Sequence, residues 1–221
     1  EAALHARWFN PERAIVFARG QAAPVYLQHE GNRHPQIAEL IAKAQPIAEP
    51  TGMEAYQVKP WLPPTGAASH TTEGVALASQ PLADAIQLEA AAWVGDPTPG
   101  SSASIATWWH IKGELPLPPE RLVSQPPPPG VYSGPPIRAF AHLWAGEQLI
   151  GIDDGIWADA YSLEPGDWLV QIHHFELPEG ASEYVLEIGI YDPQTGGRWT
   201  TPVDADKLKV PLSLTDQRDS N

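Results

Sequence analysis

His142, Asp154 and His173 carry the atoms with which proteins hold divalent metals, two imidazoles and a carboxylate. No short ligand spacing joins them, so the simpler expectation is a set of hydrogen-bonded polar groups on strands, and neither a metal nor a cofactor is expected. Asp153-Asp154-Gly155 followed by Asp159 is rich in oxygen ligands. It lacks the alternating acidic positions and closing glutamate of an EF-hand, which makes a turn its expected role. Glycoside hydrolysis needs two carboxyl groups roughly 5 to 9.5 Å apart across a sugar. With 27 acidic residues some pair meets that condition by chance, so it singles out none of them. Nucleophilic catalysis is equally unmarked, because the chain has no cysteine and no serine in a Gly-x-Ser-x-Gly elbow. No catalytic residue is named, and the chain by itself is not expected to be an enzyme.

Aromatic side chains are the better clue. A tryptophan that is only partly buried can stack on the apolar face of a sugar. Of the nine tryptophans, Trp108, Trp144, Trp157 and Trp168 are the candidates for carbohydrate binding, with core packing as the competing role for each. Rings lined up on one open sheet face favour a sugar, and buried rings count against it. An exposed apolar patch without a groove points instead to docking on another protein.

The charge balance narrows the partners. With 27 acidic against 13 basic residues the formal charge is -14, which repels a phosphate backbone and anionic headgroups, so nucleic acid is not an expected partner. The absence of cysteine rules out a disulfide framework and is compatible with the cytosol and an extracytoplasmic compartment alike. No apolar run approaches the roughly 18 to 20 residues that a membrane helix needs. The sequence opens on Glu1 as if in the middle of a chain, and is read as a piece of a longer protein.

Those side chains need elements to position them. Twenty-five prolines against 18 glycines predict many turns and few long helices. Short apolar runs at 13–17 and 25–28 predict two strands joined by a turn. Ile37, Leu40 and Ile41 fall at helical spacing, so a helix is predicted from Pro35 to about Lys43, started by His34 or Asn32 and ended by Pro46 and Pro50. A strand over 53–58 completes a small β-β-α-β segment assigned to residues 1–60. A Pro-rich linker spans 61–72, a β-sandwich 73–214 and a tail 215–221.

Within the sandwich, strands are predicted around Val75 and Leu77, over 86–93, 104–111, 139–143, 148–152, 169–177 and 184–191, with an edge strand in 203–214. Ile86, Leu88, Ala90 and Ala92 are expected on one face. Ile105, Thr107 and Trp109 are expected on one side of their strand, with Ala106, Trp108 and His110 on the other, since neighbours on a strand point to opposite faces. Residues 115–136 hold the run Pro126 to Pro129 and cannot be a central strand, so they are read as a long, loosely packed excursion. Asp192-Pro193 and Gly196-Gly197 turn the chain so that Arg198-Trp199-Thr200 can run back against Tyr184 to Tyr191. The fold class is mainly β, an antiparallel two-sheet β-sandwich preceded by a small α/β (β-β-α-β) segment.

Ala139-Phe140-Ala141-His142-Leu143, Gly151-Ile152-Asp153-Asp154-Gly155, Leu163-Glu164-Pro165-Gly166-Asp167 and Phe175-Glu176-Leu177-Pro178 follow one another in an order that resembles a family pattern. Tyr184 to Asp192, with Thr195-Gly196 and Arg198, extends it. It is similar to the extracytoplasmic carboxy-terminal region of dolichyl-phosphate-mannose-protein mannosyltransferase-like membrane glycosyltransferases. Arg7-Trp8-Phe9 and Ile15 to Gly20 look like the α/β segment that precedes it in such proteins. The likeness spans most of 75–201 and, more weakly, 7–58. His142, Asp154 and His173 fall at matching positions, whereas Trp144-Ala145-Gly146 lacks the usual turn Asp and Gln171 stands where an acid is common.

The resemblance implies a polyprenyl-phosphate-sugar-dependent transferase as the parent, with its catalytic carboxylate near membrane helices that this sequence does not contain. The chain would then be a non-catalytic, extracytoplasmic accessory domain. It would position an acceptor or brace the membrane domain of the same parent, with a glycan or glycan acceptor as a further partner. A carbohydrate-binding module and a protein-docking domain are the alternatives.

Overall fold

A computed structural model of the chain describes residues 8–17, 23–27, 32–47, 54–63, 81–120, 127–203 and 205–214. The predicted strand at Val75 and Leu77, part of the linker and the tail lie outside the described residues. The chain is mainly β, with antiparallel sheets. Ala14–Phe17 (β1), Trp168–Glu176 (β9), Ser102–Ile111 (β6) and Ile86–Val94 (β5) form a central sheet in the order β1-β9-β6-β5. Leu208–Ser213 (β11), Glu183–Tyr191 (β10), Arg138–Ala145 (β7) and Gln148–Ile152 (β8) form a front sheet in the order β11-β10-β7-β8. Ala23–Leu27 (β2), Glu54–Val58 (β4) and Gln45–Ile47 (β3) make a small sheet in the order β2-β4-β3, beside one helix, Pro35–Ala42 (α1). Among the described residues no helix is long and apolar enough to cross a membrane.

The central and front sheets enclose the main core. Ala14, Val16, Ile105, Trp109 and Leu169 from the first meet Leu143, Tyr184, Leu186, Ile188 and Val210 from the second. The other face of the central sheet is also covered. Ile15, Phe17, Ala106, Trp108, Val170 and Ile172 pack with Ile37 and Ile41 of α1 and Val58 of β4. That second core explains why β1 reads as an unbroken apolar run: each of its four residues is buried, alternately on one side and the other. It also places Trp108 and Trp109 on opposite faces, as their adjacency requires, and buries both.

Several expectations are corrected. The strands β1 and β2 are not a hairpin. β1 pairs with β9, Ala14 opposite Gln171, while β2 pairs with β4. The described part of residues 1–60 thus gives one strand to the sandwich, while α1 and β4 pack over its central sheet. Pro46 does not simply end the helix but lies in β3, an exposed edge strand where a missing N–H is tolerated. In β5, Ile86 and Leu88 face the main core but Ala90 and Ala92 face the second one. A bulge at Glu89, between the pairs Leu88/Trp109 and Ala90/Trp108, reverses the alternation and turns Ala91 and Trp93 inward instead. Of the return strand at Arg198 only a bridge to Tyr191 forms, supported by the Trp199 N–H on the Ile190 carbonyl at 2.9 Å. In the long excursion, Leu115 and Leu117 pack on the main core, and Tyr161 donates its hydroxyl to the Pro118 carbonyl at 2.9 Å.

Other predicted elements appear in place. α1 begins at Pro35, with the His34 Nδ1 accepting from the Gln36 N–H at 3.2 Å. β7 and β8 form a hairpin whose turn needs the left-handed backbone of Gly146, at φ 58°. β11 is the edge strand foreseen near the carboxyl end.

Because the central sheet is shared, its outer face couples the two layers. Ile172 is fully buried between β9 and α1, and Ile172→Ala should cost about 2–5 kcal/mol of unfolding free energy. Urea titration should show a lower midpoint with one transition. Hydrogen exchange should show α1 and β9 losing protection together. Loss confined to α1 would mean that the layers fold as separate units.

Candidate functional site

The alternation of β9 sends Gln171 and His173 toward the front sheet and Ile172 and His174 toward the helix layer. His173 is wholly buried beside Thr107, which β6 presents on the same inner side. The chain leaves β8 along β7, with the Asp153 N–H on the Ala141 carbonyl at 2.9 Å, and this delivers Asp153 to the end of β9. Its Oδ2 accepts the His174 N–H at 2.7 Å and a short hydrogen bond from the Arg13 guanidinium. Arg13, the residue before β1, also donates through Nε to the Ile172 carbonyl at 3.1 Å. Its guanidinium lies 4.1 Å from the centre of the Trp157 ring, which turns its edge toward His173 at 5.4 Å. The Trp157 N–H is held by Gln171 Oε1 at 3.0 Å.

The hydrogen bonds fix the proton on His173. Nδ1 faces the Asp153 carbonyl oxygen at 3.2 Å and so carries the hydrogen, because a carbonyl only accepts. Nε2 then accepts from Thr107 Oγ1 at 3.2 Å, and that oxygen accepts the Trp109 Nε1–H at 3.1 Å. Burial pushes the His173 pKa down to about 4; the Asp153 carboxylate and carbonyl oppose the shift, and Arg13 and His174 add to it. The ring is neutral near pH 7.

Hydroxyl, imidazole and acidic residue stand here in the order of a nucleophile, a base and the group that orients it. Thr107 and His173 are both at 0% exposure, however, so no substrate carbonyl can reach the hydroxyl. What the arrangement does is join parts of the chain distant in sequence. Next to it, His34 at the start of α1 stacks on His174 with ring centres 6.0 Å apart, and Ser104 Oγ lies 2.9 Å from His174 Nδ1. Both histidines are held below the ordinary value, first by burial; His174 and Arg13 add to the effect at His34, and Arg13 does so at His174, where Asp153 opposes it.

The three polar residues picked from the sequence do not meet. His142 Nε2 and Asp154 Oδ1 are 3.4 Å apart, and Asp154 Oδ1 also accepts the Ala141 N–H at 3.1 Å. Both lie by the front sheet, whereas His173 points into the core, and its acidic partner is Asp153, one residue earlier. Asp159 accepts the Tyr161 N–H at 3.1 Å and caps a short 3-10 turn at Ala160–Ser162. Among the described residues no group of three or more metal-ligating side chains converges. Arg13 and Thr107 were not singled out in the sequence. An arginine before an apolar strand carries no mark of its distant partner.

The four tryptophans are spread over different surfaces. Trp108 is 1% exposed, edge-on to Trp61 at 5.5 Å, and its Nε1–H donates to the Trp61 carbonyl at 2.8 Å. It is a core residue and offers no ring face to a sugar. Trp157 lies under Arg13. Trp168 is partly exposed at the edge of the second core and stacks on His110 with centres 4.7 Å apart. Trp144 lies on the outer face of the front sheet, partly exposed, with Val185 and Leu149 as its neighbours across the strands.

That outer face holds two adjoining rows. One reads Pro211, Val185, Trp144 and Leu149 across β11, β10, β7 and β8; the next reads Lys209, Glu187, His142 and Ile152. Glu187 Oε1 lies 2.9 Å from Lys207 Nζ and 3.6 Å from Lys209 Nζ. Partial burial raises its pKa, but the hydrogen bonds and charges of the two lysines outweigh this and hold the carboxyl below its ordinary range. Beyond His142, Phe140 is buried under the Arg198 guanidinium, 4.6 Å from the ring centre. A Cβ on Gly189 would meet the Phe140 ring at 2.6 Å, so only glycine lets that ring lie down.

The buried imidazole makes stability depend on acid. His173 binds a proton near 6.5 when unfolded but only near 4 when folded, so its stabilisation is complete above pH 6.5 and is lost as the pH falls toward 4. The loss attributable to this group should be on the order of 3 kcal/mol. Urea titrations between pH 7.5 and 4 should show this loss in the native chain and a shallower dependence, by about one proton, in His173→Gln. An unchanged slope would remove the role given to His173.

Neither protein-family models nor curated proteins contain a match to this chain.

Proposed function

We propose that this chain is a non-catalytic accessory domain of a membrane glycosyltransferase-like protein. In this reading it lies outside the cytoplasm, where it braces the membrane domain of the same parent and positions a glycan acceptor. One observation carries the accessory role: the hydroxyl and imidazole best suited to chemistry, Thr107 and His173, are fully buried, and the partly exposed Arg13 and Asp153 beside them are engaged in bonds across the layers. Arg13 joins the strand before the helix layer to Asp153 beside the front sheet, and both meet the backbone of β9. A clasp of this kind supports a rigid spacer. A site that turned over substrate through Thr107 or His173 would need one of the two to reach solvent. The parent and the compartment rest on the family likeness of residues 139–198.

A specific feature favours acceptor contact over bracing alone. Leu149 is 39% exposed and Ile152 58% exposed beside Trp144, on a sheet face that also carries the Glu187–Lys207 ion pair and His142 beside Asp154.

Two measurements test the reading. The isolated chain, given a polyprenyl-phosphate-linked sugar and a glycan or peptide acceptor, should yield no transfer product. A topology reporter fused to this chain within the intact protein should respond as extracytoplasmic. Transfer by the isolated chain overturns the accessory role, and a cytoplasmic reporter overturns the compartment.

A further inference from the structure

We propose that the outer face of the front sheet, centred on Trp144, is a binding site for an uncharged saccharide. The proposal rests on the acceptor-positioning part of the reading above and assigns its location and ligand class. Pro211, Val185, Trp144 and Leu149 lie side by side across four strands. At about 4.8 Å between strands that row runs about 14 Å, and the row through Lys209, Glu187, His142 and Ile152 lies about 7 Å from it along the strands. A platform of this size matches one or two sugar rings.

The two rows differ in chemistry as a sugar's two aspects do. The first is apolar, and Trp144 can offer a ring face to the C–H groups of a pyranose. Its indole N–H is buried without a hydrogen-bond partner in the structure, so the face and not the N–H is what the residue presents. Between Leu143/Gly151 and Trp144/Leu149 the pairing of β7 and β8 slips by one residue, a bulge that leaves Ile150 against the main core while Leu149 and Ile152 stand out to solvent. The second row holds donors and acceptors that are ordered by their neighbours but not enclosed. His142 faces Asp154 at 3.4 Å, and Glu187 faces Lys207 and Lys209.

Charge selects the ligand class. The chain carries -14 overall, yet this face sets the carboxylates of Asp154 and Glu187 against the ammonium groups of Lys207 and Lys209. A polyanion would meet the two carboxylates, and a polycation the two lysines. A neutral polyhydroxyl compound meets paired groups of both kinds. The aromatic pair of Trp168 and His110, near Glu89 and Lys112 on the central sheet, is the rival location and serves as the internal control.

The test titrates the whole chain with neutral hexasaccharides of β-linked glucose, α-linked glucose and mannose, and with a sulfated oligosaccharide. Calorimetry and the indole N–H signals of the tryptophans are the readouts. At least one neutral hexasaccharide should bind and shift the Trp144 signal, with the sulfated compound weaker. Trp144→Ala should weaken binding about tenfold or more. Ile152→Asp, at an exposed position where folding is not at stake, should weaken it as well, and Trp168→Ala should leave it unchanged. Binding that survives Trp144→Ala and Ile152→Asp but falls with Trp168→Ala overturns this site while a carbohydrate-binding role stands. No binding of any hexasaccharide at millimolar concentration overturns the site and leaves only bracing, with the compartment and transfer assays judging that separately.

Discussion

A sheet buried on both faces is the constraint from which the rest of this structure follows. Trp108 and Trp109 sit next to each other on β6, point to opposite sides and are both removed from solvent. Covering Trp109 takes the front sheet; covering Trp108 takes α1, the small sheet and the Trp61 segment. The amino-terminal part is therefore required by the sandwich. Without it, Ala106, Trp108, Val170 and Ile172 would present a continuous apolar surface to water. The same part supplies β1, which pairs with β9 along four residues and extends the central sheet by one strand.

Two layers that share a sheet must also be held in register, and a polar cluster lies where they meet. Burying charge is costly unless each group finds partners, and here they are found in a fixed order. Arg13 bonds the backbone of β9 and the carboxylate of Asp153, whose backbone carbonyl in turn fixes the tautomer of His173. His173 draws the Thr107 hydroxyl, which receives the Trp109 indole. Each member restricts the rotamer or the backbone of the next, so the cluster specifies one arrangement of β1, β6, β9 and the segment after β8. Geometry that could have served catalysis is thus enclosed, and its consequence is specificity of folding.

Much of this was legible from periodicity alone. The alternation of Ile105, Thr107 and Trp109 against Ala106, Trp108 and His110 placed the β6 side chains on the correct faces. So did Tyr184, Leu186, Ile188 and Ile190 on β10, all in the main core. Pro35 and His34 marked the start of α1. What could not be read lay in long-range pairing and single-residue phase. Nothing near Ala14 says that Gln171 is its partner, because strand pairing across that distance leaves no local trace. The bulge at Glu89 reverses the faces of β5 with one unpaired residue, in a stretch where alanines on either face make the two phases look alike. Asp153 and Asp154 are chemically identical in the sequence, yet one reaches Arg13 and the other His142. The candidate residues divided accordingly. Trp144, His142 and Asp154 share the front-sheet side, while Trp108 and His173 are interior.

The unequal treatment of the two sheets bears on function. The outer face of the central sheet is apolar and is covered by the amino-terminal layer, whereas that of the front sheet sets an apolar row beside a polar one. On the front sheet, Phe140 is shielded locally by Arg198 and by the space that Gly189 leaves, while Leu149 and Ile152 stay open beside Trp144. Simple solubility would favour charged residues at those two positions on an edge strand, because an exposed apolar edge invites association. Their apolar character next to the polar contacts of Glu187 with its lysines and His142 with Asp154 suits a surface that meets a ligand with both apolar and hydroxylated aspects. A rigid two-layer body behind it, clasped at Arg13, would hold such a surface at a fixed orientation, which is what positioning an acceptor requires.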